Sequence, residues 1–197
     1  MDFETEKIRD FEEDLKNSNS PIIRSSWEKV IRIKFGEDCT ISWKDDTQLQ
    51  KGLGTDITVK TKKGRRYSIE LKTRSYNCLG NPEYIMEIVS HIYSRQEKPR
   101  DYLRSKEGWI YSTTAEYIFH GTLNKEGTEI IEVIFYNLSS FKSDNYKSNF
   151  NYYKNFWLPT SFKNGEFQLT LNKLIPKDVI QKDSLEFWEW RQDGTQD

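Results

Sequence analysis

Two carboxylates and a lysine in the first half of the chain have the types and spacing of a metal-assisted hydrolytic site. Asp56 is followed after thirteen intervening residues by Glu70, and Lys72 comes two positions later. Carboxylate oxygens are the ligands that Mg²⁺ prefers, and bound Mg²⁺ polarises a phosphoryl oxygen and lowers the pKa of its water. A neighbouring ammonium can orient that water and offset transition-state charge. These three residues would suit phosphodiester hydrolysis if the fold brought them together.

The segment between the two acids predicts a β-hairpin that places them opposite each other. Two runs of alternating character, 56–61 and 65–73, flank the loop 62–64, whose third residue is glycine. A three-residue loop of this kind ends on a left-handed residue, the conformation that glycine tolerates best. Its register pairs Asp56 with Glu70 and collects the apolar residues on the other face. A two-residue loop would mix carboxylates with core residues, so the hydrophobic pattern favours the register that juxtaposes the acids.

Two opposed carboxylates favour a cation between them. Directly paired residues have Cβ atoms about 4.5–5.5 Å apart, and ionised acids at that distance repel each other. Lys72 shares the face of Glu70, about 6–7 Å along the strand. Asp or Glu two residues before Lys occurs only at Asp14 and at Glu70, and only Glu70 lies in a predicted strand. A metal site is therefore favoured over the alternative, a solvated polar face with Lys72 as counter-ion.

The motif as a whole resembles that of the PD-(D/E)XK nuclease superfamily. The residues that carry the resemblance are Gly-Thr-Asp-Ile-Thr-Val at 54–59 and Glu-Leu-Lys-Thr at 70–73. Restriction endonucleases and archaeal-type Holliday junction resolvases belong to this superfamily. The resemblance extends over residues 22–120, and Thr55 stands where the motif usually has proline.

The resemblance implies a fold and a set of roles. We expect a restriction endonuclease-like core, Mg²⁺ or Mn²⁺ bound by Asp56, Glu70 and the Leu71 carbonyl, and Lys72 as the catalytic lysine. Members often add an acid from the helix before the sheet, and Glu28 matches that placement. A solvated helix charge is the alternative for Glu28. The implied substrate is DNA, and a duplex or junction cutter would be expected to form a homodimer.

Cationic side chains around the predicted hairpin suit contacts to backbone phosphates. The candidates are Lys60, Lys62, Lys63, Arg65, Arg66 and Arg74. Such contacts would give binding that weakens as salt rises. The same charges could instead protect an edge strand from aggregation. The net charge of −1 and the pI of about 6.2 do not distinguish these two roles, because values for the whole chain do not show how the charges cluster along it.

The other segments predict helices and strands in alternation. One helix begins at Pro21 and stops at Gly36, and another runs from Asn81 to about Arg95, with Glu87 as a weaker ligand candidate on its outer face. Further strands are predicted over 39–43, 109–113, 116–119, 129–136 and 166–171, with a charged helix over 3–16 and a closing helix over 176–190. This order is typical of an α/β fold, with a mixed central β-sheet flanked by helices and C-terminal β/α additions.

The length and composition predict one soluble domain. The 197 residues suit a single domain, with a core over 22–136, a peripheral helix over 3–16 and an extension over 137–197. No apolar run approaches the roughly 20 residues needed to cross a bilayer, so we expect no membrane segment and a cytoplasmic protein. Two cysteines are too few for a disulfide framework. The main alternative to an enzyme is a catalytically inactive nuclease fold that binds nucleic acid or serves as an assembly subunit, and an RNA-directed nuclease would carry the same residues.

Overall fold

The computed structural model describes residues 9–10, 20–44, 55–94, 102–143, 146, 149–161 and 166–192. Its helices are α1 (Pro21–Phe35), α2 (Trp109–Ser112) and α3 (Lys177–Asp183). Its strands are β1 (Arg9–Asp10), β2 (Thr40–Trp43), β3 (Ile57–Lys60), β4 (Arg66–Arg74), β5 (Glu83–Ser94), β6 (Tyr102–Glu107), β7 (Tyr117–Leu123), β8 (Ile130–Asn137), β9 (Lys154–Ser161), β10 (Glu166–Pro176) and β11 (Phe187–Arg191). No helix in these ranges is both long enough and apolar enough to cross a membrane.

Helix α1 has the boundaries that its sequence predicts. The Ile23 amide donates to the Ser20 hydroxyl at 3.4 Å, and Pro21 occupies the first turn, where its missing N–H costs nothing. The helix ends before Gly36, whose φ of 95° suits glycine and whose amide donates to the Arg32 carbonyl at 2.8 Å. Between these two ends, α1 buries one face, which includes Ile23, Trp27 and Ile31.

A mixed sheet lies beneath α1, as the sequence predicts. Its strand order is β11-β8-β7-β4-β3-β2, and within it β4 and β7 are parallel whereas the other neighbours are antiparallel. The core between this sheet and α1 includes Trp27, Ile31, Ile57, Val59, Tyr67, Ile69, Phe119 and Phe135. These apolar side chains alternate along β3 and β4 with polar ones, so the polar residues must face the opposite side.

The hairpin of β3 and β4 has the predicted register. Ile57 pairs with Ile69 and Val59 with Tyr67. Gly64 closes the three-residue loop with a φ of 83°. The prediction from glycine position and apolar alternation is confirmed, and it fixes which residues share the polar face.

The polar face of the mixed sheet packs against a second sheet, which corrects the predicted layer of helices. The second sheet has the strand order β1-β9-β10-β5-β6. A second apolar cluster joins the two sheets and includes Tyr84, Met86, Ile118, Tyr136, Phe141 and Ile175. On this face the described helices are only the short α2 and α3, whose Ile110 and Ile180 belong to the same cluster.

The predicted helix from Asn81 to Arg95 is wrong, because this segment forms strand β5. Its apolar residues recur at a spacing that suits a helix, yet they are mostly β-branched and so pack well on a pleated sheet. Tyr84 and Met86 are buried while Ile85 between them is 38% exposed, which is the two-residue period of a strand. Long antiparallel pairings with β10 and β6 stabilise the strand in place of the predicted helix.

Three shorter predictions also need correction. The strand predicted over 109–113 is the one-turn helix α2, and the closing helix over 176–190 ends at Asp183 and is followed by strand β11. In the helix predicted over 3–16, Arg9–Asp10 is a strand beside β9, and the other residues lie outside the described ranges. The strands predicted near 39–43, 116–119, 129–136 and 166–171 are confirmed, with shifted ends.

We expect Gly121→Ala to destabilise the packing of α1 on the sheet. A Cβ at Gly121 would overlap the Trp27 ring and lie 3.1 Å from Ile130 Cγ2. Forcing a methyl group into such a core costs about 1–3 kcal/mol of unfolding free energy. Urea unfolding measures this cost, with Ser25→Ala on the exposed side of α1 as control. Equal stability of the two variants would contradict the packing.

Candidate active site

Asp56 lies immediately before β3, where its carboxylate bonds to the backbone of β4. Its backbone amide donates to the Ile69 carbonyl at 3.0 Å, and its own carbonyl accepts from the Lys44 amide at 3.0 Å. Its Oδ2 accepts the Leu71 amide at 2.7 Å. The described pairing of the hairpin ends at Ile57, so Asp56 contacts β4 through its amide and this side-chain bond rather than through a regular pair with Glu70.

Glu70 and Lys72 extend from β4 on the face opposite α1. Glu70 is 6% exposed, and Lys72 Nζ donates to its Oε1 at 2.6 Å. The second carboxylate oxygen, Oε2, accepts the hydroxyl of Thr113 at 3.4 Å. Both oxygens of this buried acid are therefore oriented by neighbours.

The charge of Glu70 affects the pKa of Asp56. Burial first, and the Glu70 carboxylate second, raise the pKa of Asp56 to about 7. The Lys72 ammonium and the bond from the Leu71 amide oppose this rise without cancelling it. A second carboxylate this close resists ionisation, and a bound cation would relieve that conflict.

Lys72 stays charged in this environment. Burial alone would lower its pKa, but the carboxylates of Glu70 and Asp56 raise it above the usual value. The ammonium also lies 5.0 Å from the centre of the Trp109 ring, a cation–π contact. A lysine held protonated can donate a hydrogen bond, but it is a poor proton acceptor.

Glu87 approaches this group from the second sheet. It lies half-buried on β5 rather than on the outer face of a helix, and its charge adds to the rise in the pKa of Lys72. The sequence identifies Glu87 as a weaker ligand candidate but on a predicted helix, and the pairing of β5 with β10 and β6 sets its actual position.

The oxygen donors here suit a hard divalent cation. Ile69 turns its carbonyl toward β3, and because directions alternate along a strand, Leu71 two residues on turns its carbonyl the same way. That carbonyl thus lies on the side where the Asp56 carboxylate meets the Leu71 amide. Among the described residues no group of three or more His, Cys, Asp or Glu could hold a metal ion. Two carboxylates, one carbonyl and several waters are a set that Mg²⁺ accepts.

Glu28 is not brought to the two acids. Its Oε1 accepts the indole N–H of Trp43 at 2.8 Å. Trp43 packs against the core beneath α1, on the opposite face from Glu70. This contact accounts for Glu28 as an acceptor for tryptophan and does not support its predicted role as a helper ligand.

Arg74 has a structural role, which does not fit the phosphate contact predicted for it. Its guanidinium donates to Glu132 Oε1 and to Thr122 Oγ1, both at 2.6 Å, and to the Tyr84 hydroxyl at 3.1 Å. Further bonds reach the carbonyls of Asn81 and Glu83. A guanidinium engaged in this way is not available to a nucleic acid.

The other predicted phosphate-binding residues surround the exposed hairpin tip. They are Lys60, Lys62, Lys63, Arg65 and Arg66. Lys62 pairs with Asp38 at 2.8 Å, and Arg65 pairs with Glu186 at 3.3 Å. Arg66 lies four positions before Glu70 on β4, a distance of roughly 13 Å along the strand. The hairpin tip therefore lies away from the acids, and strands β3 and β4 connect the two.

The chain matches no known protein-family model, and no similar curated protein or solved structure was found. Function must therefore be inferred from the chemistry of the residues themselves.

We expect Asp56→Asn to stabilise the metal-free protein at alkaline pH. Because the folded-state pKa of about 7 exceeds the ordinary value of 3.8, unfolding favours ionisation, and stability falls as pH rises from about 4 to 7. Asparagine keeps an oxygen for the Leu71 amide but carries no charge. The gain in melting temperature over wild type, measured with a chelator, should be larger at pH 8 than at pH 5.

Asp38→Asn provides the control for this experiment, because Asp38 is exposed and its partner Lys62 is a surface residue. It should give no gain that grows with pH. A wild type at least as stable as Asp56→Asn at pH 8 would contradict the buried acid pair.

Proposed function

We propose that this protein is a metal-dependent nuclease that hydrolyses phosphodiester bonds in DNA with Mg²⁺ or Mn²⁺, at a site of the PD-(D/E)XK type. One observation carries the proposal. The buried Glu70 carboxylate has the Lys72 ammonium 2.6 Å away, and its charge adds to the effect of burial in raising the pKa of Asp56 to about 7. Strongly perturbed pKa values cluster at functional sites, which favours a functional role for this acid pair.

Each residue then has a distinct role. Asp56, Glu70 and the Leu71 carbonyl hold the ion, which when bound supplies Lewis-acid polarisation and a more acidic water. Lys72 keeps its proton because of its acidic neighbours, so it serves as a hydrogen-bond donor that orients the attacking water and offsets charge on the phosphoryl group. Burial of Glu70 excludes bulk water and strengthens these charge interactions.

The fold supports the proposal in part. A mixed sheet with α1 on one face agrees with a restriction endonuclease-like core, and in that sheet Glu70 lies on β4 while Asp56 directly precedes the neighbouring β3. A second sheet lies where the resemblance implies helices. If the core is of that type, β5, β6, β9 and β10 are additions to it.

The hairpin tip supports a nucleic acid as substrate. Lys60, Lys63 and Arg66 are exposed on the hairpin that leads to the acids. A backbone lying along this hairpin would place phosphates against the tip and the proposed metal at once. Such contacts release counterions, so affinity should fall as salt rises.

A cleavage panel tests the proposal. The full chain is incubated with supercoiled, linear, single-stranded and four-way-junction DNA, and with RNA of matching sequence, in Mg²⁺, Mn²⁺ or EDTA. We expect DNA cleavage that requires the metal. Cleavage of RNA alone would make the protein a ribonuclease, and binding without cleavage in every condition would favour a nucleic-acid-binding or assembly subunit.

A further inference from the structure

Lys142 makes an unusual pair of contacts close to the acids. It follows β8, in the turn that begins at Leu138, and its Nζ donates to the carbonyls of Thr113 and Ala115 at 2.8 and 2.7 Å. Burial lowers the pKa of Lys142, and the charges of Glu70 and Glu116 oppose this shift. This ammonium therefore lies within electrostatic reach of Glu70 while it holds another segment of backbone.

The segment that Lys142 holds is the one that orients Glu70. The Ala115 amide donates to Thr113 Oγ1 at 3.1 Å, so the Thr113 hydroxyl accepts one bond and can direct its proton to Glu70 Oε2. In the same turn, the hydroxyls of Thr114 and Thr55 are 2.9 Å apart. The turn thus contacts Glu70 and the residue before Asp56.

We infer that Lys142 is a positioning residue of the proposed metal site, which clamps the turn 113–115 so that Thr113 fixes the Glu70 carboxylate. The inference rests on the proposed function. With Oε2 held by Thr113, Oε1 is the oxygen that can exchange the Lys72 ammonium for a metal ion. Partners of this kind, which act through a ligand, commonly affect metal affinity as strongly as 10- to 100-fold.

The charge of Lys142 and the hydrogen bonds that it donates predict opposite effects on metal affinity when Lys142 is removed, so a measured affinity distinguishes them. A cation near Glu70 repels a divalent ion, so its removal would strengthen metal binding if charge alone mattered. Loss of the two hydrogen bonds from Lys142 lets the turn 113–115 and the Thr113 hydroxyl move, and this movement weakens metal binding. We expect the geometric effect to dominate, because both backbone carbonyls lose their donor when the ammonium is removed.

The test is a Mn²⁺ titration of the full chain by calorimetry, together with metal-dependent DNA cleavage. Lys142→Met should weaken Mn²⁺ affinity roughly 10- to 100-fold and lower kcat. Lys142→Arg should restore most of both, because a guanidinium can also donate to two carbonyls. Thr113→Val, which removes only the hydroxyl, should shift affinity in the same direction by less.

Lys173→Met is the matched control. Lys173 is buried where Lys142 is half-buried, and its Nζ likewise makes two bonds, to the Tyr153 carbonyl and to Asn155, but it lies on β10 in the second sheet. This variant should lose stability and keep its Mn²⁺ affinity. A purely structural role for Lys142 would make the two lysine variants behave alike.

The outcomes separate this inference from the proposed function. Wild-type affinity or tighter binding in Lys142→Met overturns the inference while leaving the metal site intact. If Lys142→Met does not fold, Thr113→Val decides, and unchanged affinity there overturns it. A wild type that binds no Mn²⁺ and cleaves nothing overturns the proposed function, and the inference with it.

Discussion

Replacing Glu70 with glutamine is expected to abolish metal-dependent cleavage. The amide keeps the size of the side chain and its oxygen can still accept from Lys72, but its nitrogen is a donor toward Thr113 and it loses the negative charge that would hold the ion. A metal contributes several kcal/mol of transition-state stabilisation, and at about 1.4 kcal/mol per factor of ten this loss corresponds to roughly 10³-fold in rate. Initial rates on the DNA substrate that the wild type cuts best provide the measurement.

Glu132→Gln controls for the general cost of neutralising a buried acid. Glu132 is 8% exposed and accepts from Arg74 at 2.6 Å, so it matches Glu70 in burial and in having a cationic partner. Its loss should reduce stability while leaving the rate per folded molecule near wild type. Full activity in Glu70→Gln, or equal losses in the two variants, would contradict a ligand role for Glu70.

Replacing Lys72 with methionine is expected to lower kcat by roughly 10²- to 10³-fold, the usual effect of removing one preorganised charge donor. Mn²⁺ affinity should be retained or increased, because Lys72 competes with the ion for Glu70 Oε1. This combination of lost rate and retained binding distinguishes a catalytic ammonium from a structural one. Single-turnover cleavage and Mn²⁺ titration measure the two quantities.

Lys34→Met is the matched control for Lys72. Lys34 also combines a glutamate partner, Glu186 at 3.4 Å, with an aromatic contact, Phe135 at 4.8 Å. It lies on α1, on the other face of the sheet. Cleavage by this variant should remain near wild type. If Lys72→Met also cleaved at the wild-type rate, Lys72 would have no part in the chemistry.

The hairpin could be predicted because its determinants are local. Gly64 fixes the loop, and the apolar residues at Val59 and Tyr67 admit one register, so the face shared by Glu70 and Lys72 follows from a short segment. Asp56 departs slightly from that prediction. Its amide bonds to Ile69 and its side chain to Leu71, which depends on where β3 begins rather than on the pattern of residues.

Strand β5 could not be predicted because its determinants are distant. Its β-branched residues fit a helix or a strand by spacing, and partners on β10, such as Ile175 opposite Tyr84 and 91 positions away, decide between them. The same limit applies to Thr113, which reaches Glu70 across 43 positions, and to Lys142, which reaches Thr113 across 29. No local signal marks either residue.

Glu28 illustrates a different limit. Its helix was predicted with correct ends, but the direction of its carboxylate depends on Trp43, 15 positions away on β2. An indole N–H beneath a helix needs an acceptor, and the nearby carboxylate meets that need. Placement on the right helix is therefore insufficient to make an acid a ligand.

Diffraction from crystals soaked in Mn²⁺, with data collected where manganese scatters anomalously, would locate the proposed metal. We expect one anomalous peak bonded to an oxygen of Asp56, an oxygen of Glu70 and the Leu71 carbonyl, with Lys72 displaced from Glu70 Oε1. A peak bound elsewhere, or none at a Mn²⁺ concentration that supports cleavage, would contradict the proposed metal site.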